Sequence, residues 1–165
     1  MSKSKRNKEL NIDINSIEDP KFLKSLDKKD LPLLSDKIRS YILENVSKTG
    51  GHLSSNLGVV ELSVALHYVF DEEDAIIFDV GHQCYTHKIL TGRANHLSTL
   101  RQTDGLSGFI SYDESSYDKW ESGHAGTAIS AMTGYIIANE KNEKKGNVMP
   151  LLEIQVSPMV NLLKP

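Results

Sequence analysis

The amino-acid sequence predicts an α/β fold in which helices pack on the faces of a parallel sheet. Residues 75–80 read Ala-Ile-Ile-Phe-Asp-Val, a short β-rich run typical of a buried strand. Residues 126–140 predict a small-residue helix, and Val148-Met149 is typical of the start of a second strand. This order favours a parallel pair, because parallel strands need a long crossover between them.

A polar lead-in and two helices are expected before the first strand. Residues 1–30 are polar and lysine-rich, and we interpret the basic stretch 1–7 as a solvated terminus in preference to an anion-binding arm. Asp30 is the expected N-cap of a helix that ends at Gly50. Its apolar stripe comprises Leu34, Ile38, Ile42 and Val46. Residues 59–70 are apolar on nearly every face and predict a buried helix.

The region after the first strand predicts a short helix, a loop and a longer helix. Residues 82–90 can form a helix that ends at 91–93, and residues 95–118 are typical of a long ordered loop. At 123–127 a glycine-containing loop runs into a helix N-terminus. The N–H groups and dipole there favour a phosphate. One stripe of this helix carries Ile129, Met132 and Ile136.

The composition is that of a globular protein with one core. The chain has 165 residues, of which 39% are hydrophobic and 25% charged, and its net charge of −3 gives no reason to expect nucleic-acid binding. Cys84 is the single cysteine, which excludes an intrachain disulfide. No signal peptide or membrane-spanning run is visible, so we expect a cytoplasmic protein without a membrane partner.

Three of the six histidines directly follow a glycine: His52, His82 and His124. Each pair falls where a predicted element begins or ends. Glycine lets the backbone approach a ligand, and histidine adds a titratable donor or acceptor, so the three pairs predict one polar ligand site. Gly81-His82 is expected beyond the carboxyl end of the first strand, where open α/β sheets bind ligands.

Other interpretations of these residues are weaker. His82 and His87 are five apart, which places them on different faces of a helix, and no cysteine or carboxylate pair nearby completes a metal site. Cys84 shows no sign of activation as a nucleophile. Taken singly, each Gly-His pair could be a turn glycine beside a structural histidine. We expect His67 to be a core histidine and Glu61 to form a structural ion pair.

Four segments carry a resemblance to a known family. Residues 50–62 read GGHLSSNLGVVEL and residues 79–93 read DVGHQCYTHKILTGR; residues 105–109 and 122–130 read GLSGF and SGHAGTAIS. Together they resemble the motifs of the 1-deoxy-D-xylulose-5-phosphate synthases, a transketolase-like family, in the family's order. The similarity runs from about residue 31 to residue 149.

The resemblance implies an enzyme that uses thiamine diphosphate and Mg²⁺. Such a transferase decarboxylates pyruvate and joins the two-carbon unit to glyceraldehyde 3-phosphate, for isoprenoid, thiamine and pyridoxal synthesis, and the intact family is homodimeric. By the family pattern, His52 would lie over the reactive thiazolium carbon. His82 would contact cofactor or substrate, and Gly123, His124 and Ala125 would line the cofactor. Many relatives have Ser-Ser-Thr at 125–127, where this chain has Ala-Gly-Thr, so backbone contacts are expected there.

The family's metal-binding residues have no counterpart after Met149. In the family, the next strand ends in Gly-Asp with an Asn further on, whereas residues 150–160 read PLLEIQVSPMV. These residues can be encoded so that skipping two bases gives Ile-Ile-Gly-Asp-Ser-Ser-Ile-Ser-Asn-Gly, which resembles the missing strand end. We therefore expect a truncated thiamine-diphosphate-binding domain at 31–150 and an out-of-frame tail at 151–165. The alternative is a natural variant C-terminus.

Two functions follow from this interpretation. The first is an N-terminal piece of the synthase, an incomplete parallel-sheet domain that is inactive because it lacks the Mg²⁺ ligands and the second domain's cofactor-activating glutamate. The second is a non-catalytic remnant, or a partner that associates with an intact synthase. A remnant or partner predicts exposed apolar faces on the helix at 59–70 and on the strand that begins at Ala75, because both would lack neighbours.

The frame hypothesis predicts what the gene itself contains. Sequencing the DNA across the codons for residues 145–165 and beyond should show that one added base near the Pro150 codon opens a continuous synthase frame. A locus with no synthase-like frame downstream would contradict the hypothesis.

Overall fold

The computed structural model describes residues 11–152, whose elements follow a mixed α/β order. The basic stretch 1–7 and most of the proposed tail lie outside the described residues. The helices and strands are α1 (Leu31–Thr49), α2 (Leu53–Leu57), α3 (Val60–Val69), β1 (Ala75–Phe78), α4 (Tyr85–Lys88), α5 (Ala128–Lys141) and β2 (Val148–Leu151). Short 3₁₀ segments cover Ile14–Ser16, Pro20–Ser25, Lys28–Asp30 and Ala94–Thr99, and an irregular turn covers Ile89–Arg93.

The two strands form a small parallel sheet, as the sequence predicts. Ala75 lies opposite Val148 and Phe78 opposite Leu151, and β1 is buried along its whole length. Proline has no backbone N–H group to donate. Pro150 nevertheless fits within β2, because the backbone polar groups of this residue point away from β1. The carbonyls of Asn147 and Leu151 accept from the N–H groups of Ala75 and Asp79. Because the backbone groups of alternate residues in a strand point to opposite sides, those of Pro150 point away from β1. The last residue of β2 is Leu151, which is also the first residue of the proposed tail.

The longest helix, α1, supplies one wall of the main core. Leu34, Ile38 and Ile42 are fully buried and Val46 nearly so, which confirms the predicted stripe. Asp30 does precede the helix, but its carboxylate makes no capping hydrogen bond, because a 3₁₀ turn runs directly into α1. The helix ends at Gly50, whose N–H donates to the Val46 carbonyl over 2.9 Å.

The prediction of an all-round buried helix at 59–70 is wrong. α3 buries one face, which includes Val64 and His67, whereas Leu62 and Val69 are 47% and 64% exposed. The helix packs on α1 and α4 from one side, and no described residue covers the opposite side. Apolar composition shows that a helix can be buried, but only the packing partners determine which faces are.

α5 also leaves apolar surface open. It begins at Ala128, two residues later than predicted, because Gly126 has a φ of +82° and cannot belong to the helix. Its small residues Ala128 and Ala131 pack on Ile77 of β1. The large residues Ile129, Ile136 and Ile137 remain 54%, 40% and 47% exposed.

The segment after β1 contains less helix than expected. Only Tyr85–Lys88 of the predicted 82–90 helix is α-helical, and the turn at Ile89–Arg93 follows it. Beyond the 3₁₀ segment, residues 100–127 contain neither helix nor strand, in agreement with the predicted loop. Every helix within residues 11–152 is too short or too polar to cross a lipid bilayer.

Gly92 is expected to be essential for the turn after α4. It has a φ of +89°, and a Cβ there would lie 2.4 Å from the Glu18 carbonyl oxygen. Gly92→Ala should reduce the free energy of unfolding by about 1–3 kcal/mol in urea titrations, because strain and a backbone clash act together. Gly134→Ala is the matched control: α5 leaves open space there, so this change should stabilise by roughly 0.5–1 kcal/mol. Equal effects of the two changes would contradict the expectation.

Candidate functional site

The candidate site lies where β1 ends. Val80 follows Asp79 with a φ of +67°, which ends the extended backbone two residues before the predicted strand end. A β-branched residue rarely adopts this conformation, so the turn is strained and depends on its surroundings to persist. The turn brings Gly81-His82 away from the sheet and against the backbone of Ile110.

Two of the predicted site histidines meet at this turn. The His52 and His82 rings lie 5.0 Å apart between centroids in an edge-on arrangement, and Phe109 lies 5.4 Å from His52. Gly51 allows Tyr85 to lie close to the His52 segment: the φ of Gly51 is +149°, and a Cβ there would lie 2.8 Å from the Tyr85 hydroxyl. That hydroxyl accepts a hydrogen bond from the His52 N–H over 3.1 Å.

Asn56 joins the two histidine segments, and the sequence analysis did not single it out. Its side-chain N–H groups donate to the carbonyls of His52 and His82 over 2.6 and 2.8 Å, and its oxygen accepts from the Tyr85 N–H over 2.8 Å. The side chain is fully buried. Its position four residues after His52 was the available signal, but the contact with the second segment is not visible in the sequence.

The third Gly-His pair lies in the exposed loop before α5. Gly123, His124 and Ala125 are all exposed, and the Ser122 hydroxyl stabilises the loop by contacts with the backbone of His124. Asp79 connects this loop to the end of β1 by accepting hydrogen bonds from the N–H groups of Gly126 and Thr127.

The Asp79 carboxylate occupies the start of α5, where the sequence predicts a phosphate. Its Oδ1 accepts from the N–H groups of Gly126 and Thr127 over 2.8 and 3.2 Å, and Asp79 is only 5% exposed. An anion supplied by the protein therefore already satisfies these two N–H groups. A phosphate at this position would have to compete with Asp79.

Behind the histidine pair lies a buried polar network, here called the His67–Asp118 network. His67 Nε2 lies 2.9 Å from His87 Nδ1, and His87 Nε2 lies 2.8 Å from Asp118 Oδ1. Arg93 forms a bidentate pair with Asp118 and also contacts Glu114 over 3.0 Å. His67 is buried, as expected of a core histidine.

The same network anchors the loop that contacts His52. Glu114 accepts from the Ser107 N–H over 2.7 Å and forms an ion pair with Lys88, whose side chain is fully buried. Asp118 accepts from the Ser111 N–H over 3.1 Å. These bonds fix both ends of residues 107–111, the stretch that presents Phe109 to His52.

The protonation states within the network follow from burial and charge. Burial lowers the pKa of His67 well below its ordinary 6.5, and nearby His87 and Arg93 act in the same direction. Burial also lowers the pKa of His87, although Asp118 opposes it. Burial alone would raise the pKa of Asp118, but hydrogen bonds from His87 and Arg93 hold it far below its ordinary range. Neutral His87 therefore donates from Nε2 to ionised Asp118 and accepts at Nδ1 from His67.

Two further expectations match the geometry. Burial raises the pKa of the Cys84 thiol to about 12, so this cysteine stays protonated and is unsuited to nucleophilic chemistry. Glu61 forms an ion pair with Arg39, and the hydrogen bond from Arg39 lowers the pKa of Glu61.

The described residues fit thiamine diphosphate only in part. A cavity of about 370 Å³ opens beside His82 between α2, α3 and the end of β2, with Ser55 and Val59 in its lining. It offers apolar walls, two serine hydroxyls and an imidazole. Within residues 11–152, no three His, Cys, Asp or Glu side chains are arranged to hold a metal ion. The described residues therefore offer no cluster of three such side chains for the Mg²⁺ that accompanies the diphosphate.

The element order and the parallel strand pair define a mixed α/β domain. Comparison with known proteins then specifies the family. The family model described as 1-deoxy-D-xylulose-5-phosphate synthase matches residues 14–153, and the chain belongs to this family.

Individual relatives support the assignment at high identity. The chain is 50% identical over 142 residues to the 1-deoxy-D-xylulose-5-phosphate synthase of Geobacillus sp. (strain WCH70). The aligned region covers 86% of this chain and 22% of the relative. It is 53% identical over 134 residues to that of Cupriavidus metallidurans, covering 80% and 21%. The chain thus spans about a fifth of the length of the curated relatives it matches.

The lowered histidine pKa values predict a pH-dependent stability. As the pH falls below about 6.5, the unfolded chain binds protons that buried His67 and His87 do not, so the free energy of unfolding should fall. Urea titrations between about pH 7.5 and about pH 5.5 measure this slope while the carboxylates stay ionised.

A pair of variants assigns the slope to the network. His67→Gln should flatten the pH dependence, whereas His96→Gln should leave it unchanged, because His96 is an exposed residue of the Ala94–Thr99 segment, outside the network. If both variants keep the slope of the unaltered chain, the network does not cause it.

Proposed function

We propose that this chain forms the His52–His82 side of the thiamine-diphosphate site of a 1-deoxy-D-xylulose-5-phosphate synthase. The observation that supports this is the contact of two imidazoles 5.0 Å apart at the carboxyl end of β1, in a chain of that family. The intact enzyme would convert pyruvate and glyceraldehyde 3-phosphate into 1-deoxy-D-xylulose 5-phosphate and CO₂. This product serves isoprenoid, thiamine and pyridoxal synthesis. We place the protein in the cytoplasm and its intact form in a homodimer.

The proposed roles of the site residues use what each can offer. His52 and His82 can each hold or transfer a proton, and their rings are close enough to act on one ligand. Gly123, His124 and Ala125 would line the cofactor through their backbone, since their loop is exposed and fixed to Asp79 next to the same strand end.

We further propose that the 165-residue chain does not catalyse the reaction by itself. The Gly-Asp and Asn that hold Mg²⁺ by the family pattern have no counterpart at residues 150–160, and the chain corresponds to about a fifth of its relatives' length. Catalysis requires several groups that are positioned together. A chain that carries only some of the catalytic groups therefore retains little of the reaction rate of the complete site. The frame hypothesis accounts for the difference, with residues 151–165 as an out-of-frame tail.

A second candidate function, association with an intact synthase or a non-catalytic remnant, is favoured by the open apolar faces. Leu62 and Val69 on α3, and Ile129 and Ile137 on α5, are large apolar side chains that stay 47% to 64% exposed. Exposed apolar groups of this kind lower solubility or attract a partner.

The activity test uses the purified chain with thiamine diphosphate, Mg²⁺, pyruvate and glyceraldehyde 3-phosphate. We expect no pyruvate-dependent product, while a full-length relative such as that of Geobacillus provides the positive control. Measurable turnover by the chain alone would overturn the proposal of inactivity. Mixing the chain with the full-length enzyme before size-exclusion chromatography separates the alternatives: co-elution supports association, and aggregation of the chain alone supports a remnant.

A further inference from the structure

The three hydrogen bonds of the buried Asn56 side chain use both its N–H donors and its oxygen. Both of its N–H donors are used, by the carbonyls of His52 and His82, and its oxygen accepts from Tyr85. The orientation of the amide is unambiguous. The flipped amide would place its oxygen against two carbonyls and its NH₂ against an N–H group, so all three bonds would be lost.

The three bonds connect two segments that are distant in sequence. Asn56 and His52 belong to the turn around α2, whereas His82 and Tyr85 lie on either side of the start of α4. Tyr85 closes the connection from the other direction, because its hydroxyl accepts from the His52 N–H. The backbone on both sides of the histidine contact is therefore held by one amide and one phenol, both fully buried.

We propose that Asn56 is a positioning residue that holds the His52 and His82 rings in contact. The consequence for function assumes that these histidines act together, as in the proposed function. Fixing the carbonyl of each histidine fixes its peptide plane and hence the origin of its side chain, which leaves only the side-chain torsions free. A binding constellation needs its groups held within a fraction of an ångström, and buried hydrogen bonds to the backbone provide this.

Asn45 provides a matched comparison within the same chain. It is also buried, and its side-chain N–H donates over 2.9 Å to the carbonyl four residues earlier, that of Tyr41. Asn56 makes the same bond to His52 but adds the bonds to the second segment. Loss of the Asn45 amide therefore affects α1 alone, whereas loss of the Asn56 amide releases the two site segments from each other.

The experiment measures the ring contact directly. In chain labelled with ¹³C-histidine, the His52–His82 ring cross-peak in a NOESY spectrum should be present, and it should be lost in Asn56→Ala. It should also be lost in Asn56→Asp, whose carboxylate keeps the shape and can accept from Tyr85 but cannot donate to two carbonyls. Asn45→Ala should retain the cross-peak. The stacked His67–His87 pair, also 5.0 Å apart, reports in the same spectrum that the core is folded.

The outcomes separate positioning from folding. Loss of the His52–His82 signal with the His67–His87 signal intact supports the proposal, and retention of the His52–His82 signal in either Asn56 variant overturns it. If both Asn56 variants unfold, hydrogen exchange of the Asn56 side-chain NH₂ in the unaltered chain decides. Exchange as fast as that of exposed Asn95 overturns the proposal, and strong protection supports it. None of these signals depends on cofactor binding, so failure of the proposed function would leave this result standing.

Discussion

The ion pair between buried Arg93 and Asp118 is the interaction on which the rest of the site depends. Removing two charges from water is costly, and the cost is offset only when the geometry is good and the remaining polar atoms are satisfied. Here Asp118 accepts from both guanidinium nitrogens that face it, from His87 and from the Ser111 N–H. Arg93 Nε has no hydrogen-bond partner within residues 11–152, but both terminal nitrogens of Arg93 and the Asp118 carboxylate are satisfied. The pair therefore remains buried and connects the segment around α4 with Ser111 and Asp118 of the loop.

The loop at 100–127 is held in place by this ion pair and its neighbours. It contains neither helix nor strand, and its internal backbone hydrogen bonds are those of separate turns. Glu114 and Asp118 instead accept hydrogen bonds from Ser107 and Ser111, and they pair with Lys88 and Arg93 from the segment around α4. The loop is thereby held at the end of β1, where it supplies Phe109 and Ile110 to the histidine turn.

The open faces of α3 and α5 are consistent with a chain that forms part of a larger protein in its relatives. In the described residues the sheet has two strands, and α5 covers it with Ala128 and Ala131 while its isoleucines face outward. The curated relatives are several times longer, since the chain covers about a fifth of their length. The hydrogen bonds that join the His52 and His82 segments, by contrast, include bonds made within residues 11–152, from Asn56 and to the Tyr85 hydroxyl.

The sequence by itself determined the local elements and the family. The stripe of α1, the buried run at 75–80 and the glycines beside His52 and His82 are local patterns, and local patterns fix where a helix or strand forms. They predicted the parallel order and one ligand site for all three Gly-His pairs, of which the structure brings His52 and His82 into contact. Only the tertiary structure decided which faces are buried, that Asp79 occupies the start of α5, and that Asn56 joins the histidine segments. These features depend on contacts between residues 26 to 48 positions apart, and no local period records such contacts.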